Sequence, residues 1–215
     1  MAVSLEAGGW RAELDGLLAR LGRLFVRSEP RGHAGRYLEG LLGPVKRENG
    51  WQLAEHLGDA RPWRTQRVLS HVLWDEEAAR DLCREHVVER LGAEDAVLVV
   101  DETGFLKKGR HSAGVARQYT GTAGRVENAR VGVFLAYGSR GGQALIDRRL
   151  YLPERWAGDA ERRRAAKVPE DVPFRTKPEV AREMVARALD AGVPCGWVLG
   201  DAMYGADRRL RVMLE

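Results

Sequence analysis

The stretch "VLVVDETGFLKKGRH", residues 97–111, sets a short β-branched apolar run directly against two carboxylates, a glycine and a cluster of cations. Residues 97–100 have the continuous apolar character of a strand buried on both faces. Asp101 stands at the end of that strand. Glu102 is expected to point away from it, because neighbours on a strand alternate faces. Lys107, Lys108 and Arg110 follow at once. A lone aspartate at a strand end is commonly a turn former or a helix cap, so Asp101 gains chemical meaning only through a partner elsewhere in the chain.

Downstream, "VENARVGVFLAY" (126–137) and "QALIDRRLYL" (143–152) flank "GSRGG", a pattern that predicts two antiparallel strands joined by a glycine-bearing turn. The charged, proline-containing run from 153 to 175 reads as surface loop with room for one short helix. Thr176 and Glu179 then match a capping box with Pro178 in the first turn, and Val180, Ala181, Met184, Val185, Ala188 and Leu189 form a helical stripe. Gly192 and Pro194 end that helix. "GWVLGD" (196–201) is a second short apolar strand that also ends in a carboxylate, Asp201.

A strand, a hairpin and a right-handed crossover helix would return the last strand parallel to the first, with Asp101 and Asp201 at one sheet edge. Converging carboxylates repel unless a divalent cation lies between them, and hard oxygen ligands suit Mg²⁺ or Mn²⁺. Such ions can activate an attacking oxygen and stabilise a leaving one in phosphodiester displacement. Rival chemistries lack their residues: there is no G-x-S-x-G, no Walker loop and no H-E-x-x-H, and the five histidines show no ligand spacing.

Upstream of Gly92 the periodicity is helical. Leu14, Leu17, Leu18, Leu21, Leu24 and Phe25 share one helix face, and Tyr37, Leu38, Leu41 and Leu42 share another before Gly43-Pro44. Asp75 caps a helix that runs to Leu91. Residues 51–73 admit two readings: a helix-turn-helix presenting Arg61, Arg64, Gln66 and Arg67, or a plain bundle in which Trp51, Leu57, Trp63 and Leu69 pack as core. The fold class expected is thus α/β (α+β): an all-α region over 1–93, with DNA binding as its candidate role, then a mixed sheet with flanking helices over 94–215.

The whole chain has 215 residues and a net charge of +4, mildly basic for its size. The charge is uneven. Residues 105–130 hold Lys107, Lys108, Arg110, Arg117, Arg125 and Arg130 against Glu127 alone, and a second basic group runs from Arg148 to Lys167. Such blocks either track a phosphate backbone or form a solvated face. Cys83 and Cys195 lie far apart without CxxC spacing and are expected to pack as small apolar residues. No apolar run approaches the roughly 18–20 residues of a membrane span, and the N-terminus lacks signal-peptide order, so a cytoplasmic location is expected, at the nucleoid when DNA is bound.

"VLVVDETGFLKKG", "RQYTGTAGRVENARVGVFLAY", "ALIDRRLYLPERW", "PFRTKPEVAREMVARALDAGVP" and "WVLGDAMYG" together resemble bacterial insertion-sequence transposases of the DDE superfamily. The segment from Leu24 to Asp75 resembles the helical region that precedes the catalytic domain in that group. The resemblance implies a ribonuclease H-like catalytic domain, Mg²⁺- or Mn²⁺-dependent DNA strand cleavage and strand transfer, and DNA partners at element ends and target. A homo-oligomer is compatible with it. The family's first two acids fall on Asp101 and Asp201, both as catalytic residues and as metal ligands, and Lys107, Lys108, Arg110, Arg117 and Arg125 are expected at the DNA backbone. The family's third acid, a Glu on a helix well downstream, has no match here, since Glu215 is too close to Asp201. The chain is therefore expected to be a catalytically deficient, C-terminally truncated copy with an incomplete sheet and exposed apolar surface. The alternative is a non-catalytic DNA-binding remnant.

Overall fold

The computed structural model describes residues 7–215. Residues 1–6, which begin the stretch lacking signal-peptide order, lie outside them. Two compact units divide at Cys83/Arg84. That division falls inside helix α5 (Glu76–Leu91), ahead of the boundary expected at 93/94. The second half of α5 carries Val87, Val88 and Leu91, which join the core of the second unit.

The first unit is helical: α1 (Ala7–Gly22), α2 (Ser28–Leu41), α3 (Gly50–His56) and α4 (Trp63–Ser70). Its core gathers Phe25, Ala34 and Val68 with Leu21, Leu24, Val72 and Trp74, and the Phe25 and Trp74 rings stack at 5.9 Å. Asn49 caps α3 by accepting from the Trp51 and Gln52 amides, and the Thr65 hydroxyl reaches Gly50 O at 3.0 Å to join α3 and α4. The expectation that Trp51, Trp63 and Leu69 pack as core is corrected: all three are exposed. Helix α4 buries its Thr65–Val68 side, which turns Trp63 and Leu69 outward, and Arg61 lies over the Trp63 ring at 4.9 Å.

The second unit is built on five strands: β1 (Val97–Leu106), β2 (Ala116–Thr120), β3 (Arg125–Ser139), β4 (Gly142–Leu150) and β5 (Trp197–Gly200). β3 is antiparallel to β1, β2 and β4, and β5 is parallel to β1. This order is consistent with a ribonuclease H-like sheet. Helix α8 (Lys177–Asp190) carries the crossover, opened by the expected capping box at Thr176 and Glu179. Its Val180, Ala181, Met184, Val185 and Ala188 pack with Leu98, Val100, Val133, Leu135 and Tyr137 as one core. Asp147, itself buried, takes the Arg187 guanidinium at 2.6 Å.

Three expectations need correction here. Strand β2 was not anticipated; Gly124 at φ +65° closes its hairpin to β3. The run after 153 holds two short helices, α6 (Glu154–Ala157) and α7 (Ala160–Ala165), and Trp156 within it is fully buried. Cys83 is exposed rather than packed, while Cys195 is half-buried and burial raises its thiol pKa. Among the described residues no helix is long and apolar enough to cross a membrane.

Gly104 is held in place by contact. A Cβ there would lie 1.6 Å from the Thr120 hydroxyl oxygen, and the Thr122 hydroxyl donates to Gly104 O at 3.0 Å. The β2–β3 turn thus closes directly onto β1. Gly104→Ala is expected to cost about 2–3 kcal/mol, the upper part of the overpacking range, read as a lower urea midpoint, with faster amide exchange in residues 116–124.

Candidate functional site: two level acids and the struts behind them

Parallel pairing of Val97–Val100 with Trp197–Gly200 leaves Asp101 and Asp201 each one residue beyond the last matched pair, so the two acids are level. Strand β5 ends there, but β1 runs on along β3 to Leu106, so Asp101 lies within its strand and not at the strand end the sequence suggested. Two tyrosines hold that register. At the strand entries, the buried Tyr137 hydroxyl accepts from Ala93 N at 2.9 Å and donates to Pro194 O at 2.9 Å, while Gly196 N reaches Ala96 O at 2.9 Å. At the acid end, the fully buried Tyr204 donates its hydroxyl to Glu102 Oε2.

Asp201 caps helix α9 (Ala202–Gly205), its Oδ1 accepting from Met203 N at 2.9 Å and Tyr204 N at 3.3 Å. Asp101 Oδ1 accepts from Glu102 N at 2.7 Å. Both aspartates are exposed, and neither is ion-paired to a described Lys or Arg. The geometry gives each one anchored oxygen and leaves Oδ2 for a ligand. Gly200 makes the turn possible, since a Cβ on it would meet the Tyr204 Cβ at 2.9 Å.

Glu102 faces the opposite way from Asp101, as alternation requires. Its Oε1 takes Lys177 Nζ at 2.7 Å, and that ammonium also lies 5.7 Å from the Tyr151 ring centre. A lysine at a helix start opposes the helix dipole, and Glu102 offsets that cost. Burial first, then the hydrogen bond to Glu102, then the charges of Glu102, Asp201 and Asp101 push the Tyr204 phenol far above its ordinary pKa. It therefore stays protonated and remains a donor. Sequence reading missed Glu102, Lys177, Tyr204 and Tyr137 as a supporting set. A tyrosine three residues after the aspartate of "GD" is the one signal that pointed there.

Among the described residues, no group of three His, Cys, Asp or Glu side chains is placed to hold a metal. Asp101 and Asp201 are a two-acid donor set of hard oxygens, a fit for Mg²⁺ or Mn²⁺ in chemistry and accessibility.

The cations expected at DNA do not behave alike. Lys108, Arg110 and Arg117 are exposed on and before β2, and Lys107 extends the β1 ladder through Asn128 O at 2.8 Å. Arg125 instead pairs with Glu127 at 2.8 Å, and alternation along β3 puts both on the sheet face opposite Asp101. In the second basic group, Arg162 lies 3.9 Å from the Trp156 ring centre and donates to Val115 O and Arg110 O. Arg155 donates to Arg117 O, and Arg163 to the carbonyls of Ala157, Pro169, Glu170 and Val172. These arginines brace backbone.

Residues 18–215 match the family model described as DDE superfamily endonuclease, and the chain belongs to that family. The family read from the motifs is the family found. One relative is a probable transposase for insertion sequence element IS701 from Microchaete diplosiphon, 30% identical over 174 residues that cover 79% of this chain and 42% of that protein. The chain thus spans about two fifths of the length of the relative it matches. No solved structure matches the chain.

Proposed function

We propose that this chain carries the first part of a DNA transposase site, in which Asp101 and Asp201 together hold Mg²⁺ or Mn²⁺ for strand cleavage and strand transfer. The supporting observation is the level placement of Asp101 and Asp201, each one residue past the last β1–β5 pair and each with one oxygen anchored to a backbone amide. The ions, when bound, would activate the attacking oxygen and stabilise the leaving one. The chain's own part is to hold two carboxylates at a fixed separation, through the Tyr137 and Tyr204 struts, and to draw the phosphate backbone with Lys107, Lys108, Arg110 and Arg117. Arg125, paired and turned away, contributes less to that surface than the sequence implied. The relative's name as an insertion-sequence transposase supports DNA as substrate.

We further propose that residues 1–215 by themselves cleave poorly, because two carboxylates hold catalytic ions less firmly than three. Incubated with supercoiled plasmid and Mg²⁺ or Mn²⁺, the 215-residue chain is expected to bind in a manner that weakens steeply with salt, with little nicking. Efficient nicking that disappears in Asp101→Ala would overturn the proposed deficiency. Absence of DNA binding at low salt would overturn the DNA reading.

A further inference from the structure

We propose that the sheet face carrying Asp101 is a binding surface for unpaired DNA, on which bases stack against Tyr119 and Phe105 while Arg117, Lys107 and Arg130 hold the phosphates. The proposal rests on the reading of DNA as substrate and deepens it. Cross-strand partners share a face, and the pairs Tyr119↔Val126, Arg117↔Asn128, Phe105↔Arg130, Thr103↔Gly132 and Asp101↔Phe134 form one stripe across β2, β3 and β1. Burial along the strands agrees. Arg117 and Tyr119 are exposed while Ala116 and Thr120 are buried, and Asp101, Thr103 and Phe105 are exposed while Gly104 is buried.

The rings on this stripe are open to solvent. Tyr119 is 59% exposed and Phe105 42%, with Val126 beside Tyr119 at 48%. Phe105 meets Phe134, the cross-strand partner of Asp101, edge-on at 6.4 Å, and the edges of both rings lie over Gly132. Asp101 is the only carboxylate on the stripe, because Glu127 falls on the other face with Arg125. Aromatic rings alternating with cations suit a strand whose bases are free to stack, since a base–aromatic stack and a phosphate contact recur together along single strands. In a duplex the base faces are already stacked within the helix, so these rings would find no partner. From Val126 to Phe134 the stripe is at most about 27 Å long, at ~3.4 Å per residue, and it ends at Asp101. An unpaired segment lying there would run into the two acids.

The test is fluorescence anisotropy with the 215-residue chain, using a labelled DNA single strand and a duplex of the same sequence at fixed salt. Tyr119→Ala is expected to weaken single-strand binding at least about five-fold and to leave duplex binding within error, with Tyr119→Trp restoring it. Arg117→Ala is expected to weaken both. Equal or absent effects of Tyr119→Ala on the two probes would overturn the stacking surface while leaving the DNA reading intact. A change in oligomeric state with unchanged single-strand affinity would assign the face to a second copy and also overturn it. No binding of either probe by the wild type would remove both readings.

Discussion

Tyr204→Ala is expected to destabilise the second unit by about 3–5 kcal/mol, the usual cost of deleting a buried aromatic ring. The residue is fully buried between α8, α9 and the sheet, and its ring forms part of the main core. Tyr204→Phe separates packing from the hydrogen bond. It keeps the ring and loses only the donor to Glu102, a charge-assisted bond, so about 1.5–3 kcal/mol is expected. Urea unfolding of the two variants checks both numbers. The Phe variant carries the functional consequence, because Tyr204 ties the residue after Asp101 to the helix that Asp201 caps. With this strut cut, only the strand ladder and the Tyr137 bridge at the far end of the strands set the separation of the two carboxylates, and Mn²⁺ affinity is expected to fall several-fold in a protein that remains folded. An unchanged affinity would show that the Tyr204 strut is not needed to set that separation.

Trp156→Ala is the second large effect, also about 3–5 kcal/mol. The indole is fully buried, its Nε1 donates to Val115 O at 2.8 Å, and Arg162 stacks on it. Without the ring, α6 and α7 lose their anchor on the segment that enters β2. Arg162 and Arg155 then no longer have a fixed platform from which to hold the carbonyls of Arg110, Val115 and Arg117. Faster amide exchange over residues 110–118 is expected alongside the lower stability. Trp156→Phe is expected to cost only about 1 kcal/mol, since Val115 O keeps its bond from Arg162. Equal losses in the two variants, by urea unfolding, would contradict this division between packing and hydrogen bond.

The frame of the second unit was legible because its signals are local. Short apolar runs before Asp101 and Asp201, a glycine turn at 139–142 and the capping box at Thr176 each act within a few residues, and together they fix the order of strand, hairpin, helix and strand. The level placement of the two acids follows from that order, although β1 itself runs on past Asp101 to Leu106. What was not legible depends on partners distant in the chain. Tyr137 bridges residues 44 and 57 positions away, and Tyr204 meets Glu102 across 102. Nothing in the local sequence of a tyrosine shows where its hydroxyl ends. Composition likewise counts Arg155, Arg162 and Arg163 as surface charge, whereas each donates to backbone carbonyls. The α4 tryptophan misled for the same reason: an aromatic at helical spacing reads as core until the buried side of an eight-residue helix is known.

Trp197, Leu199 and Val99 share the Asp101 face at the β5 edge and are 68%, 54% and 37% exposed. That face is continuous with the stripe that ends at Asp101, so the acids lie between an apolar region and a basic, aromatic one.

Mn²⁺ binding is the measurement that bears most directly on the two acids. Titrated by electron paramagnetic resonance, the 215-residue chain is expected to bind Mn²⁺ at a site lost in both Asp101→Asn and Asp201→Asn. The asparagine at 201 keeps an oxygen able to cap α9, so that loss would not arise from unfolding of the helix start. Asp147→Asn, on the opposite face of the sheet and buried against Arg187, should leave the Mn²⁺ site intact. Mn²⁺ binding that survives in both aspartate variants would contradict the proposal that Asp101 and Asp201 share a metal.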